Sequence, residues 1–265
     1  MAEPLTPNQV LEAANRLTVA RLSVSLLEHL HSYAPADLPS AHSIADKHAE
    51  LLGWDVAGWK VGGTSALARE ILSCPEPFPG RVFENSVLHS GTVDRSAIDK
   101  PLLESEFAFQ LQDDLPPRES PYTAEDVKAA TATVAPAFEI VTSRFSDWLS
   151  VGYLSIIADC GSNGGVIFGD PIAAQDCPTL SEVDVQLTID GEEIANGSGS
   201  DILDDPWNSL AWLANDLSSR QMGLHAGEFV MSGTCTGAHP FPEGATATAN
   251  FEGFGQVTAR RTALT

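Results

Sequence analysis

The stretches LLESEFAFQL (102–111) and APAFEIV (135–141) set three glutamates, Glu104, Glu106 and Glu139, inside two runs that are otherwise largely apolar. Both runs have the length and the apolar, partly aromatic content of buried strands. A carboxylate in such a strand is costly unless a cation neutralises it. Cationic side chains are scarce, with 14 lysines and arginines against 36 aspartates and glutamates in 265 residues, so the expected partner is a metal ion. In a strand, residues two apart share a face and lie roughly 6.6 to 6.8 Å apart. Glu104 and Glu106 can therefore approach one ion from the same side while Glu139 completes the set from a neighbouring strand. Without an ion the three carboxylates repel, and at least one should protonate or swing away. Oxygen-only ligation favours Mg²⁺ or Mn²⁺ over zinc. The same pattern also fits an edge strand on which Glu104 and Glu106 face water while Leu103, Ser105 and Phe107 face the core. Pattern alone leaves both arrangements open.

Upstream, Lys60 stands between Trp59 and Val61, just before Gly62-Gly63. Buried there, it could pair with a substrate carboxylate or shuttle a proton; at a strand end it could equally snorkel to water. The first fifty residues have helical periodicity. Thr6-Pro7 is a cap and first-turn pair for a helix running through Leu27 and ending near Tyr33, and a second helix is expected from about Ser40 to Leu52, stopped by Gly53. WDVAGWKVGGTS is expected to be a strand and turn, followed by a helix over 66–72 and a loop, CPEPFPG (74–80). From Arg81 onward the runs VFENSVLHSG, LLESEFAFQL, VAPAFEIV, SIIADCG, GGVIFG, VDVQLTIDGEEIANGSG, GEFVMSGT, ATATANF and GQVTARR predict strands, interrupted by helices over 123–130 and 207–221. The expected class is α+β: a helical N-terminal part, residues 1–80, carrying the lysine motif, and a β-rich part, 81–265, carrying the glutamates, packed as one compact unit.

A net charge of −22 repels nucleic acid and anionic membrane surfaces. It also repels anionic small molecules, so an acid-binding site needs a local cation. Cys74, Cys160, Cys177 and Cys235 show no CxxC and no regular spacing, which indicates neither zinc nor a disulfide framework. The N-terminus lacks a basic region followed by an apolar core, and no run approaches the roughly 18 to 20 apolar residues of a membrane span. A cytoplasmic location is expected, with Asn196-Gly197-Ser198 read as a turn. No GxGxxG in strand and helix context, no GxxxxGK[ST] and no GxSxG elbow is present.

GWKVGGTS (58–65), LLESEFAF (102–109), APAFEIVTSRFSDW (135–148), ADCGSNGGVIFG (158–169), NGSGSDILDDPWNSLAWLAND (196–216), GLHAGEFVMSGT (223–234) and FEGFGQV (251–257) together resemble the fumarylacetoacetate hydrolase superfamily. Within it they look like the 2-keto-4-pentenoate hydratase and 4-oxalocrotonate decarboxylase group. The resemblance implies a mixed-sheet roll and divalent-metal ligands at Glu104, Glu106 and Glu139. It implies a proton-transferring lysine at Lys60 against a bound 2-oxo acid, and pocket residues at Ser65, Asp159 and Ser162. It further implies a metal-dependent lyase of aromatic catabolism that forms a homo-oligomer. Ser65 and Asp159 also suit local backbone caps.

The chain departs from the hydratase pattern at CPEPFPG. Phe78 falls where hydratases of the group commonly carry an acidic residue in a QPDFG-like stretch, Glu76 lies two residues away, and His42 stands near a position often held by Tyr. Phe78 is expected to line the pocket. These departures keep a decarboxylase open beside the hydratase, and a non-catalytic metal-binding scaffold beside both. Carbon-carbon hydrolysis would need a histidine and glutamate placed to activate water near the lysine motif, and no such pair is found. Arg144 is expected to pair with Asp147 or another carboxylate, and His225 and His239 to be turn or surface residues.

Overall fold

The computed structural model describes residues 4–89, 91–94 and 100–263, so Ser90, within the expected strand VFENSVLHSG, lies outside the described residues. Thr6 and Gln9 cap the first helix, α1 (Pro7–Leu22), reciprocally, satisfying N–H groups that a helix start leaves orphaned. The helix stops at Leu22, well short of the end near Tyr33 that periodicity suggests. Ser23 Oγ turns back to donate to Val19 O at 2.6 Å, Val24 takes φ 50°, and Leu27 forms a parallel bridge with Phe145. Leu27 therefore serves tertiary packing, whereas Val24 is left exposed.

The second helix, α2 (Leu38–Leu52), begins slightly before Ser40 because Asp37 caps it, accepting from Ser40 N at 2.8 Å, and Gly53 ends it with φ 61°. Next come β1 (Val56–Gly62), α3 (Ala66–Leu72) and β2 (Phe78–Phe83). The expected loop CPEPFPG gives its last three residues to β2. Phe78 pairs with Gly62 there, and a Cβ on Gly62 would lie 2.4 Å from Phe78 Cζ, so the glycine makes room for the ring. Beyond it lie β3 (Thr92–Val93), β4 (Leu102–Leu111), α4 (Ala124–Ala129), β5 (Thr131–Val141) and α5 (Tyr153–Ala158).

The segment SIIAD, expected to be a strand, belongs to α5 and its C-cap Asp159. Its apolar side chains are buried, and short buried apolar runs read alike as helix or strand. The chain continues through β6 (Asn163–Phe168), β7 (Ile172–Ala173), β8 (Asp184–Ile189), β9 (Glu192–Ser198), α6 (Pro206–Ser219), β10 (Phe229–Thr234), β11 (His239–Pro240), β12 (Thr246–Phe251) and β13 (Gly255–Arg261). Asn196-Gly197-Ser198 is not a turn: it closes β9, with Gly197 registered against Val185.

Among the described residues the strands form two sheets. The larger is mixed, in the order β2-β1-β10-β4-β5-β6, with β11 beside β4 and β7 beside β5; the smaller runs β3-β13-β12-β8-β9. Strand β1 lies parallel to β10, and β4 is flanked by antiparallel β10 and β5. Flanked on both sides, β4 is not an edge strand, which removes the solvent-facing arrangement of Glu104 and Glu106. The sheets share a core in which Phe107 on β4 meets Phe251 and Phe254, with ring centroids 5.1 and 5.3 Å away. No described helix is long and apolar enough to cross a membrane. The four cysteines are free.

Because Phe107 joins the sheets and is fully buried, Phe107→Ala is expected to cost about 3–5 kcal/mol of folding stability. Urea unfolding should show this as a lower midpoint at unchanged slope.

Candidate active site

Strand alternation and register bring the glutamates together. Glu104 on β4 registers opposite Glu139 on β5, and Glu106, two residues on, shares the face of Glu104. One carboxylate oxygen from each lies within 4.8 Å of the others. Glu106 and Glu139 are fully buried, and Glu104 keeps some surface in the cleft above them.

Each deep carboxylate is held by one oxygen. Glu106 Oε2 accepts from Gly233 N at 2.8 Å, and Glu139 Oε1 accepts from Asn163 Nδ2 at 2.9 Å. Gly233 can donate because β10 slips register against β4 between Met231 and Thr234, and Gly233 takes φ 95° at that irregularity. A Cβ there would lie 2.3 Å from Thr64 Oγ1. The remaining oxygens, Glu106 Oε1 and Glu139 Oε2, are buried without a hydrogen-bond partner. Two buried carboxylate oxygens that accept no hydrogen bond, in an all-oxygen cluster, fit a hard divalent cation, Mg²⁺ or Mn²⁺.

Lys60 stands beside this cluster. Its Nζ lies 3.2 Å from Glu139 Oε2, an ion pair off the hydrogen-bonding angle, and its side chain is 4% exposed. The lysine stem runs past Gly80 and Gly161, where added Cβ atoms would each come 3.0 Å from Lys60 Cδ. Burial pulls the ammonium down, but Glu139, Glu104 and Glu106 outweigh it and hold it above the ordinary lysine value. Burial pushes Glu104 up to about 7 against the pull of Lys60, with Glu139 adding to the rise. Burial, then Glu139 and Glu104, hold Glu106 well above the usual carboxylate range.

Lys60, Phe78, Glu104 and Ser162 line one cleft together with Leu72, Trp148, Ile156 and Thr234. Ser162 Oγ is buried without a partner. It sits at the end of a rare turn in which Cys160, Gly161 and Ser162 all take positive φ, 52°, 70° and 58°; each non-glycine there costs roughly 1–2 kcal/mol. Ser65 and Asp159 are committed elsewhere. The Ser65 hydroxyl caps α3, accepting from Ala68 N at 3.1 Å. Asp159 accepts from Arg144 Nε at 2.7 Å and from Arg144 N at 3.0 Å, with Arg21 Nη2 3.7 Å away.

Arg144 therefore pairs with Asp159, and its Nη1 also donates to Asn163 O at 3.2 Å. This chain of contacts ties Asp159 to the residue that orients Glu139. Sequence reading did not single out Asn163 or Gly233; both sit inside quoted motifs, but only the register shows that they reach carboxylates. His42 lies apart, in a cleft between α2 and α6, where burial, then Arg220, lowers its imidazole to about 4. His225 is exposed beside Asp114, and His239 Nε2 meets Thr236 O at 2.7 Å.

The family model for the fumarylacetoacetate (FAA) hydrolase C-terminal region matches residues 82–261. The chain belongs to that family. It is 33% identical over 234 residues to the 2-keto-4-pentenoate hydratase of Paraburkholderia xenovorans (strain LB400), covering 86% of each chain. It is 30% identical over 266 residues to the 4-oxalocrotonate decarboxylase of Pseudomonas sp. (strain CF600), covering 98% of this chain and 99% of that one. Among solved structures, the 4-oxalocrotonate decarboxylase from Pseudomonas putida G7, complexed with magnesium and adipate, superposes with a TM-score of 0.90 at 27% identity, covering 98% of this chain and 100% of that one.

With Glu104 raised from 4.5 to about 7 and Glu106 held well above the usual carboxylate range, the metal-free protein keeps protons that the unfolded chain releases as pH rises from about 4.5 through 7. Its stability then falls as pH rises through that window. Melting in a chelator should give a lower midpoint near pH 8 than near pH 5.5, and Mg²⁺ should stabilise more at the higher pH. Glu106→Gln should raise the metal-free midpoint near pH 8 and remove the Mg²⁺ effect; an undiminished Mg²⁺ effect in this variant would contradict the assigned site.

Proposed function

We propose that this chain is a divalent-metal-dependent lyase acting on 2-oxo acids or their 2-hydroxydienoate enols. The favoured reaction is hydration of a 2-hydroxypenta-2,4-dienoate-like substrate in aromatic catabolism. The observation that carries this reading is the convergence of Glu104, Glu106 and Glu139 on one point beside Lys60, at the floor of a cleft. Glu104, Glu106 and Glu139 would hold Mg²⁺ or Mn²⁺. When bound, such an ion supplies a Lewis acid for the adjacent carboxylate and C2 oxygens of the substrate.

The protein's own groups take the other roles. Asn163 and Gly233 fix one oxygen of Glu139 and of Glu106; the second oxygen of Glu106 is left without a partner, and that of Glu139 faces only Lys60 Nζ at 3.2 Å. Lys60 presents an ammonium to the substrate's charged head and moves a proton at Nζ. Ser162 offers an unpartnered hydroxyl to the same cleft, and Phe78 forms an apolar wall, its ring centroid 5.7 Å from Lys60 Nζ. Ser65 and Asp159 act through the backbone and through Arg144. In hydration, the dienol takes a proton at its far carbon and water then adds in conjugate fashion, giving 4-hydroxy-2-oxopentanoate. We assign residues 1–80, with the lysine, and 81–265, with the glutamates, to one catalytic unit.

Decarboxylation of a 4-oxalocrotonate-like substrate is the second reading. It is favoured by Phe78, which leaves no carboxylate at that wall to direct water, and by the decarboxylase superposition. We further assign the enzyme to the cytoplasm, consistent with its free cysteines. Homo-oligomerisation is consistent with exposed Val19, Leu22, Val24 and Leu26 around the end of α1.

Freshly generated 2-hydroxypenta-2,4-dienoate with Mg²⁺ should lose its ultraviolet absorbance and gain the mass of one water. Lys60→Ala should lower kcat by about 10²–10⁴-fold while keeping Mg²⁺-dependent binding of oxalate detectable by calorimetry. Failure of wild-type protein to bind oxalate with Mg²⁺ would sink the reading.

A further inference from the structure

A second cleft, of about 250 Å³, opens where the end of α1 meets the segments 85–88 and 142–144. It shares no lining residue with the cleft above the glutamates. Arg21 and Arg144 both line it, and no acidic residue is found among its described lining residues. In a chain with 36 aspartates and glutamates against 14 lysines and arginines, a cleft with two arginines and no acid is a marked local reversal of charge.

The two guanidiniums share one carboxylate. Asp159 Oδ1 lies 2.7 Å from Arg144 Nε and 3.7 Å from Arg21 Nη2, which also reaches Asp159 O at 3.5 Å. The neighbouring Cys160 and His48 add no negative charge. Burial pushes the Cys160 thiol up, so it stays protonated, and burial, then Arg21 and Arg144, hold His48 well below its ordinary value, so it stays neutral. One positive charge is left over where both arginine side chains are only 7% exposed. Two of their donors are also unused: Arg21 Nε and Arg144 Nη2 are buried without a hydrogen-bond partner. Buried donors and charges of this kind are costly until something answers them. A bridging water would satisfy the N–H groups and leave the charge, whereas an anion satisfies both.

An anion at this place uses only what the protein leaves over. Arg144 Nε stays on Asp159 and Nη1 stays on Asn163 O, so the contacts that support Glu139 are not drawn upon. A carboxylate carries the single charge required, and its planar pair of oxygens matches guanidinium N–H geometry. Beside the arginines, Ala20, Trp54 and Leu88 give the cleft an apolar wall, against which a hydrocarbon body gains by burial. We infer that this cleft is a binding site for a small organic monocarboxylate, its carboxylate held between Arg21 and Arg144 and its apolar body against Trp54 and Leu88. The site is separate from the glutamate cluster and needs no metal.

The test is calorimetric titration of full-length protein with benzoate, in Mg²⁺ and oxalate at concentrations that saturate the glutamate site. Benzoate should still bind, and Lys60→Ala should leave its affinity unchanged. Arg21→Met, which keeps Asp159 paired with Arg144, should weaken benzoate roughly 10- to 100-fold. Ser25→Trp keeps both arginines and fills the cleft with an indole, so it should weaken benzoate to a similar degree; it decides the matter if Arg21→Met does not melt as a folded protein. Benzyl alcohol, with the same body and no charge, and inorganic phosphate, with charge and no body, should each bind at least about tenfold less well than benzoate. The proposal is overturned if wild-type protein does not bind benzoate, if folded Arg21→Met or Ser25→Trp binds it as well as wild type, or if Lys60→Ala abolishes binding. Benzyl alcohol matching benzoate removes the arginines from recognition, and phosphate matching it removes the apolar wall, so either result overturns the assignment to an organic monocarboxylate.

Discussion

Three carboxylates share a pocket from which water is largely excluded, and their mutual repulsion is the constraint around which the site is arranged. At an effective dielectric of about 20, like charges at 4 Å repel by about 4 kcal/mol. Lys60 offsets part of this from one side. The rest is met either by protons, as the raised Glu104 and Glu106 indicate, or by a divalent cation that the three glutamates could hold. A site whose resting state is electrostatically unsatisfied has a strong preference for a hard cation, and that preference is the basis of the chemistry assigned to it.

Holding such a cluster requires support that does not add charge to it. Gly233 contributes a backbone N–H where β10 slips register, and Asn163 contributes a neutral amide. Behind Asn163, buried Asp159 is shared by Arg144 and Arg21. Burial, then Arg144, lowers Arg21 to about 10 against the pull of Asp159, so this layer is above all a dry one. Buried ion pairs are weak evidence for net stability, but removing one partner leaves an uncompensated charge. Here their visible effect is geometric: Arg144 bridges the Asp159 side chain and the Asn163 carbonyl, clasping the left-handed turn at 160–162 from both sides.

That turn and the lysine are packed as one piece. Gly80 and Gly161 flank the Lys60 stem closely enough that side chains on either would press on it. The ammonium is thus positioned by packing as well as by charge, and the strained turn presents Ser162 to the same space. Such strain persists only where the surroundings over-determine it, and it concentrates at functional sites.

The glutamate trio, the lysine and the phenylalanine on the wall were legible in the sequence as a cluster because each breaks a local rule: acids in buried strands, a cation between apolar residues, an aromatic ring in a Pro-rich loop. Strand alternation placed Glu104 and Glu106 on one face, and cap chemistry located the start of α1 and the end of α2. Only tertiary structure decided whether that face was wet or dry, because β4 is central by virtue of pairings with segments about 30 and 125 residues away. It likewise made SIIAD part of a helix, ended α1 at Leu22, and committed Ser65 and Asp159 to internal bonds. Periodicity records which side chains avoid water, whereas the partner of each polar atom is set by contacts between residues far apart in the chain.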